Sequence, residues 1–396
     1  MLGLTKNRNV LRLSAAQALA GANSTVTYAT AAIIGNMLSP DPAYATLPIS
    51  IFVLGMALST LPVGALTRRY GRATAFLVGN ACGVLMGVLA AIALVVQSFA
   101  LFNFAMIFGG AYNAVVLTFR FTAAECVAPH EKPKALSTVL AGGVLAGVLG
   151  PQLVTGTMNV WPPYAYAATY LAAAAVAVIS AVVLIGGDFK RPKAVEAASA
   201  GRPVSEFLRD PQLLIAMLCG VVSYTLMNFM MTSAPLAMDL CSIPRIHANS
   251  GIEFHVLAMY APSFFTGRLI ARFGAHRVVL AGLALTAGAA LVGMSGMTVA
   301  HFWTALVLLG LGWNFGFLGA SAMVLACHTP EEAPRVQSVN DFVVFGAMVI
   351  GSFASGSLLS ALGWTAVSGL MLPVVAVGVL GVVWLQRGRA KQTVAT

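Results

Sequence analysis

"GALTRRYG", residues 64 to 71, returns as "GRLIARFG" at residues 267 to 274. Gly64, Leu66, Arg69 and Gly71 of the first copy fall on Gly267, Leu269, Arg272 and Gly274 of the second, an offset of 203. A second repeat has an offset of 201. It sets Cys126, Pro129, Glu131, Pro133, Lys134 and Ser137 against Cys327, Pro330, Glu332, Pro334, Arg335 and Ser338. Two repeats with nearly one period indicate an internal duplication. They divide the chain into an N-terminal half (1–186), a polar linker (187–210) and a C-terminal half (211–396). Tandem halves of this kind are a hallmark of secondary transporters, which hold substrate near the membrane midplane between them.

Composition agrees. Of 396 residues, 59% are hydrophobic and 9% are charged, against about 25% charged in soluble domains. Residues 136–158, 164–186, 278–297 and 363–385 are nearly uncharged, and each is long enough to cross a hydrocarbon core of ~30 Å at ~1.5 Å per residue. The expected fold is an all-α polytopic membrane protein with twelve transmembrane helices in two pseudo-symmetric six-helix halves. The spans run roughly over 10–37, 45–66, 73–96, 99–122, 136–158, 164–186, 211–238, 252–271, 276–297, 300–327, 338–360 and 363–386. Lys6, Arg8 and Arg12 precede the first apolar run, which is too long for a signal peptide and reads as a retained helix.

Of 22 Lys and Arg residues, Arg245 alone falls in a loop of the outer side. That bias predicts both termini in the cytoplasm. The net charge of +10 is then an orientation signal within a lipid bilayer, and nucleic acid is not needed to explain it. Five scattered cysteines with no CxxC spacing argue against a disulfide framework or a zinc site.

The sequence carries no P-loop, GxSxG or HExxH motif, so neither an enzyme nor a direct ATP-driven pump is expected. Carboxylates within spans are scarce. Glu125 and Asp341 are placed at inner helix ends and Asp239 and Glu253 at outer ones, as interfacial caps, and no proton or sodium route is assigned. The remaining chemistry is soft. Met227 and Met231 share a face of helix seven, and His255 and Met259 have the same spacing in helix eight. Counted along the expected spans, Met231 and Met259 lie at similar depth, with His255 one turn nearer the outer mouth as first contact. Three thioethers and an imidazole suit copper, Cu(I) above all. Gap-filling methionines in an apolar core explain the same residues. Accessory positions are Met56, Met230 and Met238, with Cys126 and Cys327 (beside His328) as inner relay points and Cys241 and His247 as outer ones.

"GALTRRYGRA" resembles the loop signature of the major facilitator superfamily, G-x-L-x-D-R-x-G-R, through Gly64, Leu66, Arg69, Gly71 and Arg72. Arg68 stands where that family usually has aspartate, and Ala271 stands there in the second copy, so the customary acid of the gating loop is missing. "AGVLGPQLVTG" (146–156) is loosely similar to the fifth-helix Gly-Pro motif of exporters. Met227, Met231, His255 and Met259 match the paired motif of the CcoA-like family of bacterial copper importers. That resemblance implies copper as transported substrate, no permanent cofactor, import across the bacterial inner membrane, and supply of cytochrome oxidase assembly. Partners would be a cytoplasmic copper chaperone or oxidase-assembly factors. The same family includes carriers of organic solutes such as riboflavin. An organic-solute or drug facilitator therefore stands as the alternative, with a non-transporting copper receptor as a third reading.

Overall fold

The computed structural model describes residues 7–41, 44, 47–189 and 202–394. Lys6 and residues 190–201 of the expected linker lie outside the described residues. Among the described residues there is no strand. The N-terminal helices are α1 (Arg8–Leu38), α2 (Leu47–Tyr70), α3 (Arg72–Val95), α4 (Phe99–Glu125), α5 (Lys132–Thr157) and α6 (Ala167–Ile185). The C-terminal set begins with α7 (Pro211–Leu240) and α8, which is broken into Arg245–Tyr260 and Ser263–Phe273. It continues with α9 (Ala275–Ser295) and α10 (Val299–Leu325), then α11 (333–362) and α12 (364–394), which meet at Gly363.

Local chemistry sets the boundaries. Asn7 caps α1 by accepting from the backbone amides of Asn9 and Val10, and Asp210 caps α7 with Pro211 behind it. Gly71 and Gly274 close the two repeat motifs at φ of 88° and 83°. Only glycine adopts that conformation without penalty, so the motif's final glycine is a turn requirement in both halves.

Among the described residues, nine of these helices are long and apolar enough to cross a membrane. The other three are α1, α8 and α11. Pro262 divides α8 into shorter pieces. The other two bury polar side chains within the bundle: Asn23, Thr27 and Thr30 in α1, and Gln337, Asn340 and Asp341 in α11. Inward-facing polar residues lower hydropathy without facing lipid. Asn23, for example, donates through Nδ2 to the Ala173 carbonyl of α6 at 2.9 Å.

Within the first six helices, α1 packs on α5 and α6, while α4 packs on α2 and α3. In the second set α9 and α8 flank α10, and α7 packs on α10 and on the α11–α12 pair. The two sets meet through α2 against α11 and α5 against α8. Both seams use the opening glycine of a repeat motif. A Cβ on Gly64 would run into the Ser338 side chain and the Pro334 carbonyl. One on Gly267 would meet the Pro133 carbonyl, Lys134 Cα and Ser137 Cβ. Ser137 Oγ donates to the Ser263 carbonyl and accepts from the Gly267 amide at 2.9 Å.

Beyond the membrane helices, Arg202 Nε donates to Glu332 Oε1 at 2.8 Å and its Nη2 donates to the Cys327 carbonyl at 2.9 Å. These bonds hold the Glu332 carboxyl down at about 2, below the ordinary ~4.3 of a glutamate. A lowered folded-state value means stability present above about pH 4 and lost as pH falls through about 2. Arg202 is 35% exposed, so solvent screening keeps the pair's contribution below ~1 kcal/mol. Arg202→Ala is expected to lower the melting temperature slightly at pH 7, by a margin that shrinks between pH 5 and pH 2 in a thermal unfolding series.

Candidate solute site between the halves

The faces of α7 can be read from its contacts. Ser223 lies against Gly316 of α10, Thr225 against Gly351 of α11, and Met230 against Gly293 of α9. Tyr224, Asn228 and Met231, at i, i+4 and i+7, therefore share the face between α10 and α11. Tyr224 is the centre of an aromatic cluster there. Its ring stands edge-on to Trp313 at 5.6 Å, Phe317 at 5.1 Å and Phe345 at 4.9 Å. Trp313 and Phe317 stack at 5.2 Å, and Tyr260 of α8 meets Trp313 at 5.6 Å. A Cβ on Gly143 of α5 would meet the Tyr260 ring, so this cluster reaches the opposite half. Tyr224, within α7, and Tyr260, at the break of α8, remain half-buried. Two donors, Asn228 Nδ2 and Trp313 Nε1, are buried without a hydrogen-bond partner among the described residues. Such groups cost about 1–3 kcal/mol each unless something completes them.

The N-terminal half contributes a polar rim. Ser24 Oγ donates to Asn113 Oδ1 at 2.9 Å, and Asn113 Nδ2 donates to Met56 Sδ at 2.9 Å. Tyr28, one turn from Ser24, stands edge-on to Phe52 at 5.6 Å.

The soft-ligand residues are placed differently from one another. Met231 is half-buried on the central face, while Met227 is buried beside it toward α10. His255 is fully buried in the α8–α10 seam, with Nδ1 2.7 Å from the Leu306 carbonyl and Nε2 without a partner among the described residues. Met259 lies in the same seam, where its backbone would meet a Cβ on Gly310. The expected position of His255 at the outer mouth is corrected. Helix α8 begins at Arg245 rather than near 252, which sets His255 about three turns inside the helix.

Of the accessory residues, Met230 turns away from the centre toward Gly293, and Met56 and Met238 are fully buried. Cys327 Sγ donates to the Met323 carbonyl at 3.2 Å, and the Cys126 carbonyl accepts from Asn7. Cys241 is exposed, and the His247 ring lies tilted against Trp303, 5.9 Å between centroids. Among the described residues, no three His, Cys, Asp or Glu side chains are grouped for a metal ion.

The carboxylates hold the largest departure from the sequence reading. Glu125 and Asp341 are not simple caps. Arg72 donates to Glu125 at 3.1 and 2.5 Å and to Gln337 Oε1 of α11 at 2.6 Å. Thus Arg72, one residue past the second motif glycine, makes the cross-half contact for which Arg68 has the wrong charge. Arg68 itself is exposed, while Arg69 and Arg272 each lie over the next ring in sequence, Tyr70 and Phe273, both at 5.2 Å. Asp341 lies within α11, 2% exposed, and accepts from Arg120 Nη2 of α4 at 2.5 Å.

The sequence profile of the Major Facilitator Superfamily matches residues 13–251 and 242–395. The chain belongs to that superfamily. The riboflavin transporter RfnT of Brucella anthropi is 42% identical over 373 residues, covering 93% of each chain. The MFS-type transporter YdeG of Bacillus subtilis is 27% identical, over 96% of this chain and 92% of its own. Among solved structures, the E. coli fucose:proton symporter FucP superposes with a TM-score of 0.76 at 14% identity, over 97% of this chain and 99% of its own. A bacterial homologue of the iron transporter ferroportin superposes with a TM-score of 0.74, also at 14% identity, over 97% and 100%. These two share the fold. The protein is a membrane transporter of the facilitator type, and its 42% relative backs the organic-solute alternative above copper import.

Proposed function

We propose that the protein carries a flat, uncharged heteroaromatic solute of the riboflavin type across the bacterial inner membrane by alternating access, with both termini cytoplasmic. The observation that carries this reading is the ring cluster of Tyr224, Tyr260, Trp313 and Phe317 between the halves. Edge-to-face and stacked rings suit a planar guest, and the unpartnered Asn228 and Trp313 donors suit carbonyl or ring-nitrogen acceptors on its edge. A relative that transports riboflavin supports the same class. The scarcity of buried carboxylates fits a neutral cargo.

Copper import is the second reading. It retains one observation: His255 spends Nδ1 on a carbonyl and leaves Nε2 unpartnered, the arrangement seen in metal-ligating histidines. Uptake of labelled riboflavin and of labelled copper in the same cells separates the two. Riboflavin uptake that is saturable and blocked by planar ring analogues is the expected result. Copper uptake lost in both His255→Ala and Met227→Ala, with no riboflavin uptake, would reverse the order.

A further inference from the structure

The break in α8 is one of hydrogen bonds rather than of path. Ala261 and Pro262 keep right-handed helical dihedrals, at φ, ψ of −58°, −38° and −61°, −20°. Pro262 has no amide hydrogen to give the ladder, and neighbouring helices supply partners there. Asn314 of α10, fully buried, donates through Nδ2 to the Met259 carbonyl at 2.6 Å and to Ser263 Oγ at 2.7 Å. Its Oδ1 accepts from Thr266 Oγ1 at 2.7 Å. Asn314 therefore ties the outer piece of α8, which ends on Tyr260, to the inner piece that starts at Ser263. The inner piece has a second partner, from the opposite half. Ser137 Oγ of α5 donates to the Ser263 carbonyl and accepts from the Gly267 amide. Those groups belong to residues four apart in one helix, the pair that a helical ladder joins directly. One hydroxyl is thus bonded to both members of a ladder pair, and a side chain entering the ladder in this way bends a helix.

The internal repeat supplies a comparison. Ser338 of α11 and Gly64 of α2 occupy the equivalent places, and a Cβ on Gly64 would meet the Ser338 side chain. Yet Ser338 Oγ donates to the Arg335 carbonyl of its own helix at 3.0 Å, and α2 is unbroken from Leu47 to Tyr70. The same serine and glycine meet in both seams. Only at the broken helix does the serine bond its partner's backbone.

We propose that Ser137 is a hydrogen-bond switch in the α5–α8 seam, holding the inner piece of α8 to the N-terminal half by standing in its backbone ladder. With the seam closed, the hydroxyl makes two bonds, one to each member of the pair. As the halves part, the Gly267 amide returns to the Ser263 carbonyl. The hydroxyl then turns to the Pro133 carbonyl of its own helix, four residues back. Thr138, the next residue, already bonds the Lys134 carbonyl in that way at 2.8 Å. Two bonds are exchanged for two, so no backbone group is stranded at either end of the movement. A Cβ on Gly267 would meet Ser137 Cβ, so the glycine is what lets the hydroxyl reach the amide. The outer piece carries Tyr260 against Trp313 and Gly143. Through the Asn314 bonds, the switch and the ring cluster are therefore joined along one helix.

The switch acts whatever the solute, so it is tested without one, and failure of the riboflavin reading leaves it standing. Full-length protein in nanodiscs, its five cysteines replaced by serine, receives one spin-label pair across each seam. The pairs are His130→Cys with Ala271→Cys, and Arg68→Cys with Glu331→Cys, all at exposed positions. Electron–electron distance distributions then read the closed and open populations. Ser137→Ala leaves the bent ladder pair without its hydroxyl. It is expected to raise the open-to-closed ratio across α5–α8 by about threefold to tenfold, the weight of one unmade hydrogen bond. Ser338→Ala, whose hydroxyl bonds only its own helix, is expected to leave both label pairs at their wild-type ratios. An unchanged α5–α8 ratio in Ser137→Ala overturns the proposal. Opening to the same extent in Ser338→Ala overturns it as well, because lost seam packing would then explain both variants.

Discussion

Tyr224→Ala is expected to raise the KM for the transported solute by about tenfold to a hundredfold. Tyr224 touches Trp313, Phe317 and Phe345 at once, and each such ring pair contributes ~0.5–1.5 kcal/mol beyond its burial. Removing the ring deletes its own contact with a planar solute and lets the Trp313–Phe317 stack relax. Loss of ~1.4–2.8 kcal/mol corresponds to the stated range. Tyr224→Phe keeps every ring contact and is expected to stay within about threefold of wild type by the same scale. Solute uptake in liposomes, with protein amount matched by quantitative blot, checks both. An alanine variant that transports with unaltered KM would remove the aromatic cluster from the solute site.

The second large effect is expected at the seam between the halves. Gly267→Val places two methyl groups where the Pro133 carbonyl, Lys134 Cα and Ser137 Cβ already stand. Overpacking of that kind costs ~1–3 kcal/mol when neighbours can shift. Here the crowded neighbour is backbone of the other half, so the strain is relieved by parting α5 from α8 rather than by unfolding either half. Uptake is expected to fall at least tenfold, by about 1.4 kcal/mol of bias between conformations, while the melting temperature changes little. Gly64→Val, against Ser338 and the Pro334 carbonyl, is expected to behave alike. Gly156→Ala is the control, because no atom lies within 4 Å of its added carbon. Transport at wild-type level in Gly267→Val would show that the seam need not close tightly.

Both predictions rest on features of unequal legibility. Gly64, Gly71, Gly267 and Gly274 were readable because glycine has one physical use at each place, close approach or positive φ, and the duplication repeats both. The helical class was readable because 59% apolar composition has few other outlets. The aromatic cluster was not. Tyr224 and Tyr260 are isolated in sequence from Trp313, Phe317 and Phe345, and nothing in their spacing says that α7, α8, α10 and α11 bring them together. Helical spacing singles out the methionines instead, since Met227 and Met231 recur at it while single rings do not. Met231 does lie on the central face, next to the tyrosine that the spacing passed over.

The charged residues show the same division. Repeat alignment matches neither Arg72 nor Arg120 with a second copy, since Ala275 and Ser321 occupy those positions. Their partners Gln337 and Asp341 are more than 200 residues away. The sequence by itself determined a membrane-embedded, duplicated carrier and the turns of its repeat, because hydropathy and glycine stereochemistry act locally. Only the tertiary structure decided which rings gather around Tyr224 and which carboxylate crosses the seam. Those contacts exist between helices, and a helix's neighbours are set by packing rather than by its own residues.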